Sequence, residues 1–110
     1  MLNNIILMGR LTADPELCST SSGVSVCSFR IAVDRDFVPQ DGERQTDFIE
    51  IVTWRSTADF VSRYFQKGSM IIVQGSLQSR KWQDKEGNNR ISWEVQASQV
   101  WFGESKKNES

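Results

Sequence analysis

The chain has no histidine and only two cysteines, Cys18 and Cys27. Two thiols without an imidazole cannot assemble a zinc set, and no metal or other cofactor is expected. No G-x-S-x-G, phosphate-cradling glycine loop or other nucleophile motif is present. The fourteen carboxylates are a soluble chain's ordinary share, and none forms a recognisable acid–base pair, so catalysis is not expected. The longest apolar run, Ile5 to Met8, is far too short to span a membrane. The start, MLNN, lacks the basic and long apolar stretches of a signal peptide, and a cytoplasmic location follows. In that setting reduced thiols are the default, although a reversal near Ser21-Ser22-Gly23 leaves a Cys18–Cys27 pairing geometrically open. Neither sign of charge is in excess, with a net of −1. Its distribution is uneven: Arg55 to Trp93 holds seven bases against three acids, while acids gather between Asp34 and Glu50.

What the chain does have is alternation. One domain of 110 residues can build a proper core. Asn4 to Leu11 is a nearly continuous apolar strand, interrupted by Gly9, which suggests a bulge or close backbone approach, and ended by Thr12-Ala13-Asp14-Pro15. Val24 to Val33 places Cys27, Phe29, Ile31 and Val33 on a core face, which makes Cys27 a packing residue. A polar connection follows, with a turn signal at Pro39-Gln40-Asp41-Gly42 and one aromatic set between charges, Phe37, whose plain reading is a loop anchor folded back onto the core. Asp47 to Arg55 puts Phe48, Glu50, Val52 and Trp54 on one face and Ile49, Ile51 and Thr53 on the other.

The spacing predicts a single helix over Ser56 to Lys67, capped by Ser56, favoured by Asp59 in its first turn and stopped by Gly68. Its aromatics Phe60, Tyr64 and Phe65 read as core. Met70 to Leu77 then feeds a hairpin whose reversal is Asp84 to Asn89, and the last strand alternates through Ile91, Trp93, Val95 and Ala97 before Val100-Trp101-Phe102 closes the domain. Arg80 and Trp82 share one face of the hairpin and Lys81 takes the other. By itself this is an ordinary β-hairpin with a solvated tip.

Three strands, a helix and two strands form the order of an all-β, five-stranded OB-fold Greek-key barrel, with the α-helix between strands 3 and 4. That fold binds over its middle strands and over the loops joining strands one to two and four to five. Here those regions are the Trp54 strand and the Arg80–Trp82 hairpin. A guanidinium beside an exposed ring suits a nucleic-acid strand, charge for the phosphate and a flat apolar surface for the base.

Four segments, MLNNIILMGRLTADPEL, TDFIEIVTWR, KGSMIIVQGSLQSRKW and EVQASQVWF, resemble the bacterial single-stranded DNA-binding protein family in the family's order, over residues 1–102. The resemblance implies an OB-fold homotetramer that binds single-stranded DNA with little sequence preference and serves replication, recombination and repair. It implies base stacking by Phe37, Phe48, Trp54 and Trp82, and phosphate contacts by Arg35, Arg55, Lys67, Arg80, Lys81 and Arg90. Trp93 and Trp101 remain packing residues. The Ile49–Ile51–Thr53 face and the Met70–Val73 segment carry more apolar surface than a small barrel needs, in keeping with a homotetramer.

The sequence departs from the family after PEL, where Cys18 and Ser19 replace the usual arginine and tyrosine. Residues 103–110 read as a short, polar, disordered tail. Family members usually continue into a linker with an acidic, hydrophobic tip that recruits replication proteins. The sequence ends SKKNES, without that tip, so such recruitment is not an expectation for it. The alternatives are an OB domain for RNA, separable only by contacts to the 2′-hydroxyl, or a primosome-type protein-interaction module.

Overall fold

A computed structural model describes residues 1–37, 40 and 42–104. In chain order it contains β1 (Ile5–Leu11), β2 (Glu16–Ser19), β3 (Ser25–Asp34), β4 (Thr46–Trp54), α1 (Arg55–Tyr64), β5 (Met70–Gln83) and β6 (Asn89–Phe102). The strands lie in the order β1-β5-β6-β4-β3-β2, and a further β1–β3 pairing closes the sheet on itself. β4 and β6 run parallel, and every other pair is antiparallel. This is the OB barrel expected, with one more strand than the sequence suggested.

The extra strand is the first one resumed. β1 pairs with β3 at Arg10↔Ala32 and Leu11↔Ile31, and β2 takes up the same side of β3 from Glu16↔Ser28 to Ser19↔Ser25. Thr12 to Pro15 interrupt the strand without ending its course. All four β2 residues are exposed, so no apolar alternation marked them. Gly9 is a close-approach position, because a Cβ there would stand 2.6 Å from the carbonyl oxygen of Ala32.

The core is built from alternate residues: Cys27, Phe29 and Ile31 from β3, Ile51 and Thr53 from β4, Ile71 and Val73 from β5, and Val95 and Ala97 from β6. Thr53 satisfies its buried hydroxyl by donating to the Cys27 carbonyl at 2.8 Å. Burial pushes the Cys27 thiol up to about 11. Leu17 stands opposite Cys27, and Cys18, one position along, points to the other face; both thiols are free.

Three expectations need correction. First, the helix spans Arg55–Tyr64, not Ser56 to Lys67, and neither Ser56 nor any other side chain caps it. β4 runs straight into it: Trp54, still extended, occupies the cap position, Arg55 turns the chain at φ 58, and no acid lies in the first turn. The helix ends early because Phe65 leaves it in extended conformation to bury its ring, stacked on Phe102 at 4.8 Å between centroids. Gly68 serves instead the turn that follows, closed by the N–H of Ser69 on the Gln66 carbonyl.

Second, the Ile49–Ile51–Thr53 face is the barrel's own core wall and supplies no surplus apolar surface; in the Met70–Val73 segment Ile71 and Val73 join that wall, while Met70 and Ile72 face the other way and are partly exposed. Third, Trp93 and Trp101 are not packed, being 60% and 43% exposed. The arms of β5 and β6 continue past the barrel, and from Leu77 onward every residue of β5 is exposed. Ile91 pairs with Lys81 and Trp93 with Ser79, and both side chains of the alternation that continues from Val95 and Ala97 stay exposed there. The Pro39–Gly42 turn and the tail expected at 103–110 fall largely outside the described residues. Gly103, the last glycine, donates to the Met70 carbonyl at 2.9 Å.

Candidate nucleic-acid interface

Burying the odd-numbered residues of β4 and the barrel half of β6 turns the even-numbered ones outward. Register assembles them into rows. Arg30, Glu50, Glu94 and Gln78 follow one another across β3, β4, β6 and β5, with Ser28, Val52, Gln96 and Ser76 beside them. Phe48 stands opposite Ala32 and Trp54 opposite Val26. Along the hairpin the same face carries Arg80 opposite Ser92 and Trp82 opposite Arg90. One outer surface therefore holds Phe48, Trp54, Trp82, Arg80 and Arg90.

Both tryptophans are part-exposed, at 40% for Trp54 and 42% for Trp82. Each indole N–H reaches a diagonal neighbour on the adjoining strand: Trp54 Nε1 donates to Gln96 Oε1 at 2.7 Å, and Trp82 Nε1 to Ser92 Oγ at 2.8 Å. The polar edge of each ring is thus satisfied by the protein, and its π-face remains available.

The remaining sequence-predicted residues lie elsewhere. Phe37 is the most exposed of the four aromatics and sits in the β3–β4 connection, beyond the strand ends that flank Phe48. Arg35, in the same connection, closes a two-point pair on Asp47 at 2.9 and 3.0 Å. Lys81 is on the opposite face of the hairpin, across from Ile91. Arg55 occupies the strained strand-to-helix junction, in a left-handed conformation uncommon for any residue but glycine. Lys67 is on the turn after the helix, its backbone N–H donated to Asp14 at 2.7 Å, apart from the aromatic rows. Sequence reading did not single out Arg30, Ser92, Glu94 or Gln96. The alternation of the last strand already placed the latter three on the non-core face.

The hairpin tip is organised by one carboxylate. Asp84 accepts from the backbone N–H groups of Glu86 at 3.0 Å and Asn88 at 2.9 Å, and from Arg90 Nε at 3.0 Å. The Asn88 N–H foremost, then the Arg90 guanidinium, hold its carboxyl below the usual carboxylate range. At Asp47 the Arg35 guanidinium does the same.

A barrel of this topology with aromatic platforms and arginines on its outer wall is an OB-type binding domain. The profile of the single-strand binding protein family matches residues 2–102. The chain is 49% identical over 106 residues to the single-stranded DNA-binding protein of Caldanaerobacter subterraneus subsp. tengcongensis, covering 96% of this chain and 71% of that one. It is 47% identical over 106 residues to single-stranded DNA-binding protein A of Bacillus subtilis, covering 96% and 62% respectively. With single-stranded DNA-binding protein 2 of Listeria monocytogenes it shares 45% over 108 residues, 98% of this chain and 68% of that one. The chain belongs to the single-strand binding protein family.

A depressed carboxylate supports what it holds only while ionised. The Asp84 contribution is therefore complete above the ordinary aspartate value of about 3.9 and fades as pH falls through the lowered one. In an NMR titration the amide resonances of Glu86 and Asn88 should hold their positions down to about pH 4 and move below it. Movement between about pH 7 and 5 would contradict the role given to Asp84.

Proposed function

We propose that the chain binds single-stranded DNA with little sequence preference and thereby protects it during replication, recombination and repair. The observation that carries this reading is the shared outer face of Phe48, Trp54, Trp82, Arg80 and Arg90, which offers π-faces and cations together. Every base has a flat face, so stacking needs no sequence. On this reading Phe37, Phe48, Trp54 and Trp82 stack on bases, and Arg35, Arg55, Lys67, Arg80, Lys81 and Arg90 follow the phosphates. Its work is binding, not catalysis, and its place is the cytoplasm, on the nucleoid; among the described residues no helix is long and apolar enough to cross a membrane.

Trp54→Ala and Trp82→Ala should each weaken oligo(dT) binding by about ten- to a hundredfold, with the thermal midpoint nearly unchanged. Fluorescence titrations against oligo(dT), matched RNA and duplex DNA provide the measurement. Normal oligo(dT) affinity in both variants would remove the stacking role, and preference for RNA or duplex would redirect the reading.

Assembly as a homotetramer belongs to the same proposal. Its support is surface left uncovered by the single chain. Among the described residues no strand pairs with the outer edge of β1 over Ile5 to Met8, and Ile6 and Met8 are exposed. Leu77, Ile91 and Trp93 form a second apolar stretch on the hairpin, facing away from Trp82. Sedimentation at micromolar protein should give a tetramer, and Trp93→Glu should weaken it. A stable monomer of the unaltered chain would overturn the assignment.

A further inference from the structure

Trp54 and Trp82 are held by different kinds of partner. Ser92 offers Trp82 a hydroxyl that rotates freely to suit. Trp54 instead meets an amide whose own direction is set from behind. Gln96 Oε1 accepts from Trp54 Nε1, while Gln96 Nε2 donates to Glu94 Oε2 at 2.7 Å. The other Glu94 oxygen lies 3.5 Å from Arg80 Nε. The Glu94 side chain is only 15% exposed and Gln96 is half-buried, so water competes weakly for these contacts.

An amide can face two ways, and here only one works. An ionised carboxylate accepts and never donates, so the amide must turn its NH2 group toward Glu94. Its carbonyl oxygen then faces the other way, where an indole N–H, a donor only, can use it. Turned over, the amide would set oxygen against oxygen on one side and N–H against N–H on the other. By its charge alone Glu94 would oppose the binding of a polyanion.

We infer that Glu94, acting through Gln96, is a positioning residue that holds the Trp54 indole in the orientation it presents to a base. The inference rests on the proposed stacking role of Trp54. Glu94 fixes the amide, the amide fixes the ring, and the ring reaches its ligand already ordered, so less freedom is lost on binding. Through Arg80 the same carboxylate joins the barrel-wall platform to the hairpin cation.

Two readings test it, oligo(dT) affinity and the ¹⁵N-resolved indole N–H resonance of Trp54. Gln96→Leu should weaken binding by about three- to tenfold, the worth of one neutral hydrogen bond. It should also remove the hydrogen-bonded shift of that resonance and its protection from solvent exchange. Glu94→Met, which keeps the side chain's length but neither carries charge nor accepts strongly, separates position from charge: charge alone predicts tighter binding, whereas positioning predicts weaker binding and the same change in the resonance. In a Trp54→Phe background, which lacks the N–H, neither substitution should weaken binding further. Equal weakening in that background, or Glu94→Met with unchanged or tighter binding and an unmoved resonance, would overturn the inference. Trp54→Ala keeps the two levels apart. Normal affinity there refutes stacking, and with it the binding role given to Glu94, while the resonance still reports whether Glu94 holds the ring.

Discussion

Glu50 beside Glu94, Ile51 beside Val95 and Val52 beside Gln96 join β4 to β6 in parallel, and the outer surface depends on that register. Ile51 and Val95 are fully buried, so the flanking residues must face out. A slip of one residue would send Glu94 and Gln96 into the core and bring Val95 to the surface, at the cost of burying a carboxylate. Hydrophobic closure of the barrel thus selects the register. The register in turn brings Trp54 within reach of Gln96, and Glu94 within reach of Arg80, from segments about forty residues apart in the chain or opposite each other across a hairpin.

The electrostatics of the face explain how a chain of net charge −1 can suit a polyanion. Its arginines are held in pairs, Arg30 to Glu50, Arg80 to Glu94 and Arg90 to Asp84, and Arg35 in the neighbouring connection is held by Asp47. In every pair the arginine side chain is more than half exposed, which leaves it able to meet a phosphate from the solvent side. Each carboxylate keeps its arginine in place and offsets part of its field. On the proposed reading, flat stacking surfaces then carry a larger share of binding than charge alone would.

Much of this was legible in the residue pattern. Alternation placed Phe48 with Trp54, and Arg80 with Trp82, and the order of elements pointed to the barrel. The failures share a physical cause: periodicity reports which face a side chain takes, never what lies opposite it. Trp93 follows the rhythm of Val95 and Ala97 but stands beyond the barrel wall, and so is exposed. The Ile49–Ile51–Thr53 face looked like spare apolar surface because closure of the sheet around it is a long-range fact. Helix length failed at Phe65, where burial against Phe102 overrides a sequence that could have continued the turn. The Trp54–Gln96–Glu94 chain was invisible for the same reason, since it crosses strands.

Photocrosslinking tests the central claim most directly, that the even-numbered outer face is the one that meets single-stranded DNA. The chain would be irradiated with oligo(dT) carrying iododeoxyuridine in place of thymidine, and the attached peptides mapped. The account predicts attachment at Phe48, Trp54 and Trp82. Attachment confined to Ile91, Trp93 and the outer edge of β1, with none at those three rings, would contradict it.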